Sequence, residues 1–189
     1  MRFVAKLSSF SALLGICLLL FGCQKITKTY SVVPAIAFKS YTVSYSDSTG
    51  VPDYKLTLII TFTDGDGDIG LNQDDTIGNF NKNSVYYYNL WVPYYEKIPG
   101  PDSFKQVNTQ YPYNWGDTAN PSKVVNYNGR IPDVTPQGKD KAINGTIQYD
   151  FDLGSGTKSG TKAIRFGFIL VDRALHKSNM VYSPEIDLY

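Results

Sequence analysis

The stretch YKLTLIITFTDGDGDIG, residues 54–70, joins a run of alternating residues to a run of alternating acids. In its first half Tyr54, Leu56, Leu58, Ile60 and Phe62 share one parity, while Lys55, Thr57, Thr61 and Thr63 share the other. A period of two with one apolar side is the pattern of a half-buried β-strand. Asp64 continues the apolar parity, so the strand is expected to carry a carboxylate to its inner end.

Working outward, the pattern recurs. In AINGTIQYDFDL, Ile143, Ile147, Tyr149, Phe151 and Leu153 oppose Asn144, Thr146, Gln148, Asp150 and Asp152. AIRFGFILVD repeats it with Ile164, Phe166, Phe168 and Leu170. The glycine-rich GSGTKSGT between them reads as a hairpin connection, which predicts that these two strands pair. Further strands are expected at 36–45, 85–95, 104–107 and 180–188, with a short one near 123–127. Only two acidic residues are Glu, whereas Thr, Val, Ile and Tyr abound, a composition that favours strands over helices. The expected class is all-β: an immunoglobulin-like antiparallel two-sheet sandwich with a long irregular insertion at 108–138. Residues 34–189 suffice for one domain with its own core.

The chain opens MRFVAKLSSFSALLGICLLLFGC, with Arg2 and Lys6 before a short apolar run. That order is a secretion signal, too short for a comfortable membrane span. Leu20, Gly22 and Cys23 resemble a bacterial lipobox, although Phe21 is bulkier than usual there. The resemblance implies a signal peptide over 1–22, a lipidated Cys23, and a tether to residue 33. A plain cleaved signal or a single anchor helix is the alternative. Two or three acyl chains hold a protein durably on a bilayer, where one does not. The expected partner is therefore a membrane, reached through diacylglycerol and palmitate on Cys23. An acidic cluster just after the lipidated cysteine resembles the surface-export signal of some Gram-negative lipoproteins, and its absence from the tether implies the periplasmic face of the outer membrane over the cell surface.

Cys17 lies within the signal and Cys23 would be blocked, so neither is available for a disulfide. Basic and acidic residues nearly balance, 18 against 17, and no basic patch suits nucleic acid.

Asp64, Asp66 and Asp68 stand at positions 1, 3 and 5 of a calcium-loop spacing, with Asn72, Asp74 and Asp75 following. Calcium takes six to eight oxygens, and the intervening glycines allow alternate carboxylates to converge. The loop is not an EF-hand, because Ile69 occupies the glycine position, Asp75 the terminal Glu position, and a strand leads in. Carboxylates 5–6 Å apart repel by roughly 3 kcal/mol at an effective dielectric near 20. A hydrated Asp-Gly turn would relieve this without an ion. Both readings stand, although three alternating carboxylates exceed what a turn needs. Asp172 ends its strand with the parity of Phe168 and Leu170, and it would complete a site if both strands ended at one pole.

FTDGDGDIGL (62–71), GRIPDVTPQGKDKAINGTI (129–147) and DRALHKSNMVYSPEI (172–186) together resemble a group of Gram-negative lipoproteins with an immunoglobulin-like fold and no assigned activity. The resemblance implies fold and location more than function. Leu175 and His176 replace the Gly and Asn of that pattern, which argues against a left-handed turn there.

Catalytic chemistry is sparse. His176 is the single histidine, expected as a solvated turn residue, so zinc or copper sites and nucleophilic triads have little to draw on. Glu96 and Glu185 offer no argued glycosidase spacing. Trp91, Tyr94 and Trp115 belong to an aromatic-rich region that would suit a glycan or an envelope protein if exposed. Covering by the 108–138 insertion is the competing reading. The leading expectation is a non-enzymatic, lipid-anchored envelope binding or interaction module with structural Ca2+ at Asp64, Asp66, Asp68 and Asp172. A glycan-binding accessory lipoprotein comes second, and a hydrolase third.

Overall fold

A computed structural model describes residues 29–46, 53–101, 103–106, 127–134, 141–154 and 163–187. The expected signal segment 1–22, Cys23, most of the expected tether, Trp115, the stretch 123–126 and the GSGTKSGT connector after Gly154 lie outside these residues.

Two antiparallel sheets enclose one core, forming an all-β sandwich. The first sheet has the order β1 (Ala35–Ser46), β2 (Asp53–Asp64), β6 (Ile143–Gly154). In the second, β3 (Leu90–Trp91), β7 (Ala163–Leu170), β4 (Tyr94–Lys97) and β5 (Phe104–Gln106) follow one another. There β8 (Val181–Tyr182) and β9 (Ile186–Asp187) also pair with β7.

The alternation of β2 is realised: Tyr54, Leu56, Leu58, Ile60 and Phe62 are all buried. Facing them, Ile164, Phe166, Phe168 and Leu170 of β7 are fully enclosed. Side chains of this size contribute roughly 1.5–3 kcal/mol each when buried, which makes the β2–β7 contact the centre of the core. In β1 a bulge at Lys39 shifts the register between Phe38 and Ser40. An extra residue reverses the pleat, so Ile36 and Phe38 point inward before it and Tyr41 and Val43 after it.

Three expectations are corrected. First, the strands at 143–154 and 163–170 are not a hairpin. β6 pairs with β2, whereas β7 lies in the other sheet. Consecutive in the chain, β6 and β7 thus belong to different layers, and packed sheets stand about 10 Å apart. Second, 85–95 is not one strand. Val85–Tyr87 forms a 3₁₀ turn, then β3 and β4 are separated at Pro93. Proline has no N–H for a ladder, and here its carbonyl accepts from Gly167 N at 2.9 Å. Third, 180–188 yields two two-residue strands, β8 and β9. Between them Ser183 Oγ accepts the Phe166 N–H at 3.0 Å, substituting a side chain for a strand partner.

The sheets are also tied directly. Asn179 accepts from Ile36 N and donates to Ile36 O, both at 2.9 Å, so one side chain satisfies both backbone groups of a buried β1 residue.

Candidate metal centre

The parity that buries Leu56 to Phe62 carries on to Asp64, the last residue of β2, which is 0% exposed. Its Oδ2 accepts the Asp68 N–H at 3.0 Å, closing the loop on itself. Two glycines make this curl possible. A Cβ at Gly65 would fall 2.5 Å from the Tyr30 carbonyl oxygen. Gly67, at φ +73°, leaves no room either, since its Cβ would meet Lys141 O at 2.3 Å. Only glycine accommodates that combination of left-handed backbone and close approach.

Asp68 is fixed from the opposite sheet. Its Oδ2 accepts from Ala174 N at 3.0 Å, and its carbonyl accepts from Arg173 N at 3.1 Å. The remaining Oδ1 atoms of Asp64, Asp66 and Asp68 are each buried without a hydrogen-bond partner. One carboxylate oxygen from each lies within 4.8 Å of the others. Buried, unpaired carboxylate oxygens are costly, and three sharing one space is the opposite of a splayed, hydrated turn.

Charge in this space is strained. Burial, reinforced by the neighbouring charges of Asp66 and Asp68, pushes the Asp64 carboxyl up to about 6. Asp68 is raised first by burial and then by Asp172 and Asp66. The donor set is all carboxylate oxygen, which matches a hard cation such as calcium and does not suit zinc or copper. The residues present therefore fit a hard divalent ion.

Asp172 does come to the same pole. It is nearly fully buried at the end of β7, yet it stands behind the triad. Its Oδ1 accepts from His176 N at 2.7 Å and its Oδ2 pairs with His176 Nδ1 at 2.9 Å. His176, expected as a solvated turn residue, keeps much of its exposure but is held by Asp172, which raises its pKa. Burial raises that of Asp172. Leu175 corrects another expectation: it adopts the left-handed region at φ +70° without being glycine, inside the turn that this ion pair closes.

The later oxygens turn elsewhere. Asp75 makes a two-pronged contact to Arg173, at 2.7 and 3.1 Å. Asn72 N donates to Asp75 Oδ2 at 2.7 Å, and Asp74 is exposed. Arg173 also donates to Gly70 O, while Arg130 donates to Asn72 O, Asp75 O and Tyr87 O. Two arginines therefore bind the 70–87 segment to the sandwich. Sequence spacing holds no sign of this, because the partners are about 55 and about 100 residues away and the bonds run mostly to backbone carbonyls.

Of the aromatic candidates, Tyr94 is corrected outright. It is 4% exposed and packs on Tyr127 and Phe166, because its strand parity points into the core. Trp91 is half-buried; its indole N–H donates to Tyr88 O at 3.0 Å, and Lys177 Nζ lies 4.7 Å over its ring. Glu96 accepts from the Tyr94 hydroxyl, and Glu185 pairs with Lys97.

Comparison of the chain with protein families, with curated proteins and with solved structures finds no match.

Proposed function

We propose that this protein is a lipid-anchored envelope module without enzymatic activity, an immunoglobulin-like sandwich whose Asp64, Asp66 and Asp68 loop takes calcium for stability. Cys23 would carry the anchor, and the outer membrane, periplasmic face, would be its location. The resemblance to Gram-negative lipoproteins supports the placement of the chain among them. The observation that carries the metal reading is that one carboxylate oxygen from each aspartate lies within 4.8 Å of the others while each residue keeps a buried oxygen without a hydrogen-bond partner.

Calcium would act here as a fold-stabilising ligand. Asp172 and His176 would buttress the loop from behind, and Asp68 would couple the two sheets through Ala174 and Arg173. Ligand binding to the native state alone stabilises by about 2.7 kcal/mol at a hundredfold excess over Kd.

The test is thermal melting of metal-stripped protein with and without millimolar calcium. The melting temperature should rise several degrees with calcium, and Asp64→Asn should abolish the rise while leaving the metal-free protein folded. Identical melting curves for the unsubstituted protein in both conditions would end the metal reading.

A further inference from the structure

We infer that the pole carrying the aspartate loop is a bilayer-facing surface, with apolar side chains around the loop entering the lipid interface. This rests on the lipid-anchor reading of Cys23.

The chain meets the folded body at this pole. Ala35 pairs with Thr63, beside Asp64, so residues 29–34 emerge where β2 ends. Tyr30 and Ser31 lie directly against Gly65, with no space for a side chain between them. From Cys23 to Thr29 is six residues, a reach of about 21 Å at full extension. A single domain of this size has a radius of gyration of about 15 Å. A tether that short cannot bring the opposite pole to the membrane, so the end facing the lipid is the one the chain enters.

Exposed apolar residues collect at that end. Eight large hydrophobic residues are exposed among the described residues, and five of them belong to segments bound to this pole: Val32, Val33, Ile77, Val85 and Val134. Val32 and Val33 follow the Ser31 that abuts Gly65. Val134 N donates to Ile69 O at 3.2 Å. Ile77 lies two residues beyond Asp75, which Arg173 holds, and Val85 opens the turn whose Tyr87 carbonyl Arg130 ties to Asp75 O. Ile77 is 81% exposed and Val85 68%. The other three are elsewhere. Tyr45 sits at the far end of the β1–β2 ladder, opposite Tyr54. Ile98 follows β4, which runs toward the start of β7, and Tyr182 pairs midway along β7.

Single exposed apolar residues need no explanation, but a set gathered at one pole does. A lipid interface accounts for it, since anchored proteins gain attachment from apolar side chains inserted beside their acyl chains.

The lipidated protein, purified from membranes, would be reconstituted into vesicles of phosphatidylethanolamine and phosphatidylglycerol bearing a doxyl quencher near the headgroup. With Cys17 removed and Cys23 blocked, single cysteines at Ile77→Cys, Val85→Cys and Val134→Cys can each carry an environment-sensitive fluorophore, with Tyr45→Cys and Tyr182→Cys as controls. The three pole labels should lose about half their emission to the lipid quencher, with little loss at the controls, as expected for insertion at the interface. Equal quenching at pole and control sites, or stronger quenching at Tyr45→Cys, overturns the inference. Mass spectrometry of the mature N-terminus separates the two readings. Acyl mass present without pole quenching refutes the docking surface alone, whereas acyl mass absent refutes the anchor and the surface with it.

Discussion

If the triad takes calcium as proposed, removing the ion should reverse the sign of the pH dependence of stability. In the metal-free protein Asp64 is raised from 3.8 to about 6 by burial and by Asp66 and Asp68. A carboxyl with a raised folded pKa binds more protons in the native state between these two values. Its stabilisation is fully present below 3.8 and is lost as pH climbs through about 6. Integrating this one site from pH 7 down to pH 5 gives a gain of about 1.3 kcal/mol. Asp68 and Asp172 are also raised and add in the same direction. So does His176, whose pairing with Asp172 stabilises below its unfolded pKa and fades as pH rises. Asp75 and Asp150 are lowered, so their losses begin only near or below 3.8, outside the window. With calcium bound, protons must compete with the ion for the same oxygens, so acidification from pH 7 to pH 5 should destabilise. Urea unfolding of metal-stripped and calcium-saturated protein at the two pH values measures both slopes. Parallel slopes would refute the reasoning, because they would mean that ion and proton do not share a site.

Two further substitutions test the framework around the loop. Asn179→Ala removes both bonds to Ile36 and should cost about 2 kcal/mol by leaving buried backbone groups unpaired. A urea midpoint lowered to match that cost checks it, and an unchanged midpoint would show that Asn179 is dispensable. Leu175→Asn should stabilise by about 0.5–1 kcal/mol, since Asn tolerates the left-handed region that Leu175 occupies at φ +70°. A lower urea midpoint would instead show that packing by the leucine outweighs its backbone strain.

What the amino-acid pattern conveyed was parity. The alternation in β2 and β7 places Leu56 to Phe62 and Ile164 to Leu170 in the core, and the same count carries Asp64 and Asp172 inward to one pole. Partnership was not conveyed. Whether β6 folds back on β7 or crosses to β2 depends on which sheet offers an open edge, a property of the assembled fold and not of GSGTKSGT. The tyrosine-rich run has strong β-propensity throughout, but Pro93 lacks the N–H a ladder needs and divides it into β3 and β4. The bulge at Lys39 inverts parity midway along β1 and hides its alternation. At the site, the triad was legible because three carboxylates lie in one five-residue stretch. The engagement of Asp172 by His176, and of Asp75 by Arg173, was not, because strand parity and loop spacing bring a carboxylate to a pole without showing which neighbour takes its oxygens.

The pairing of β2 with β6 has a kinetic consequence. β1 and β2 are neighbours in the chain and can zip as a local hairpin, but Thr57 must wait for Asp150, 93 residues downstream, before its other edge is filled. Contacts of such long sequence separation slow folding to the millisecond-to-second range typical of sandwiches. Until they form, the apolar face of β2 and its bare ladder edge are exposed together, the condition under which strands of different molecules join. If the chain is exported as proposed, amino end first, its most vulnerable interval is the one with the hairpin emerged and β6 still to come.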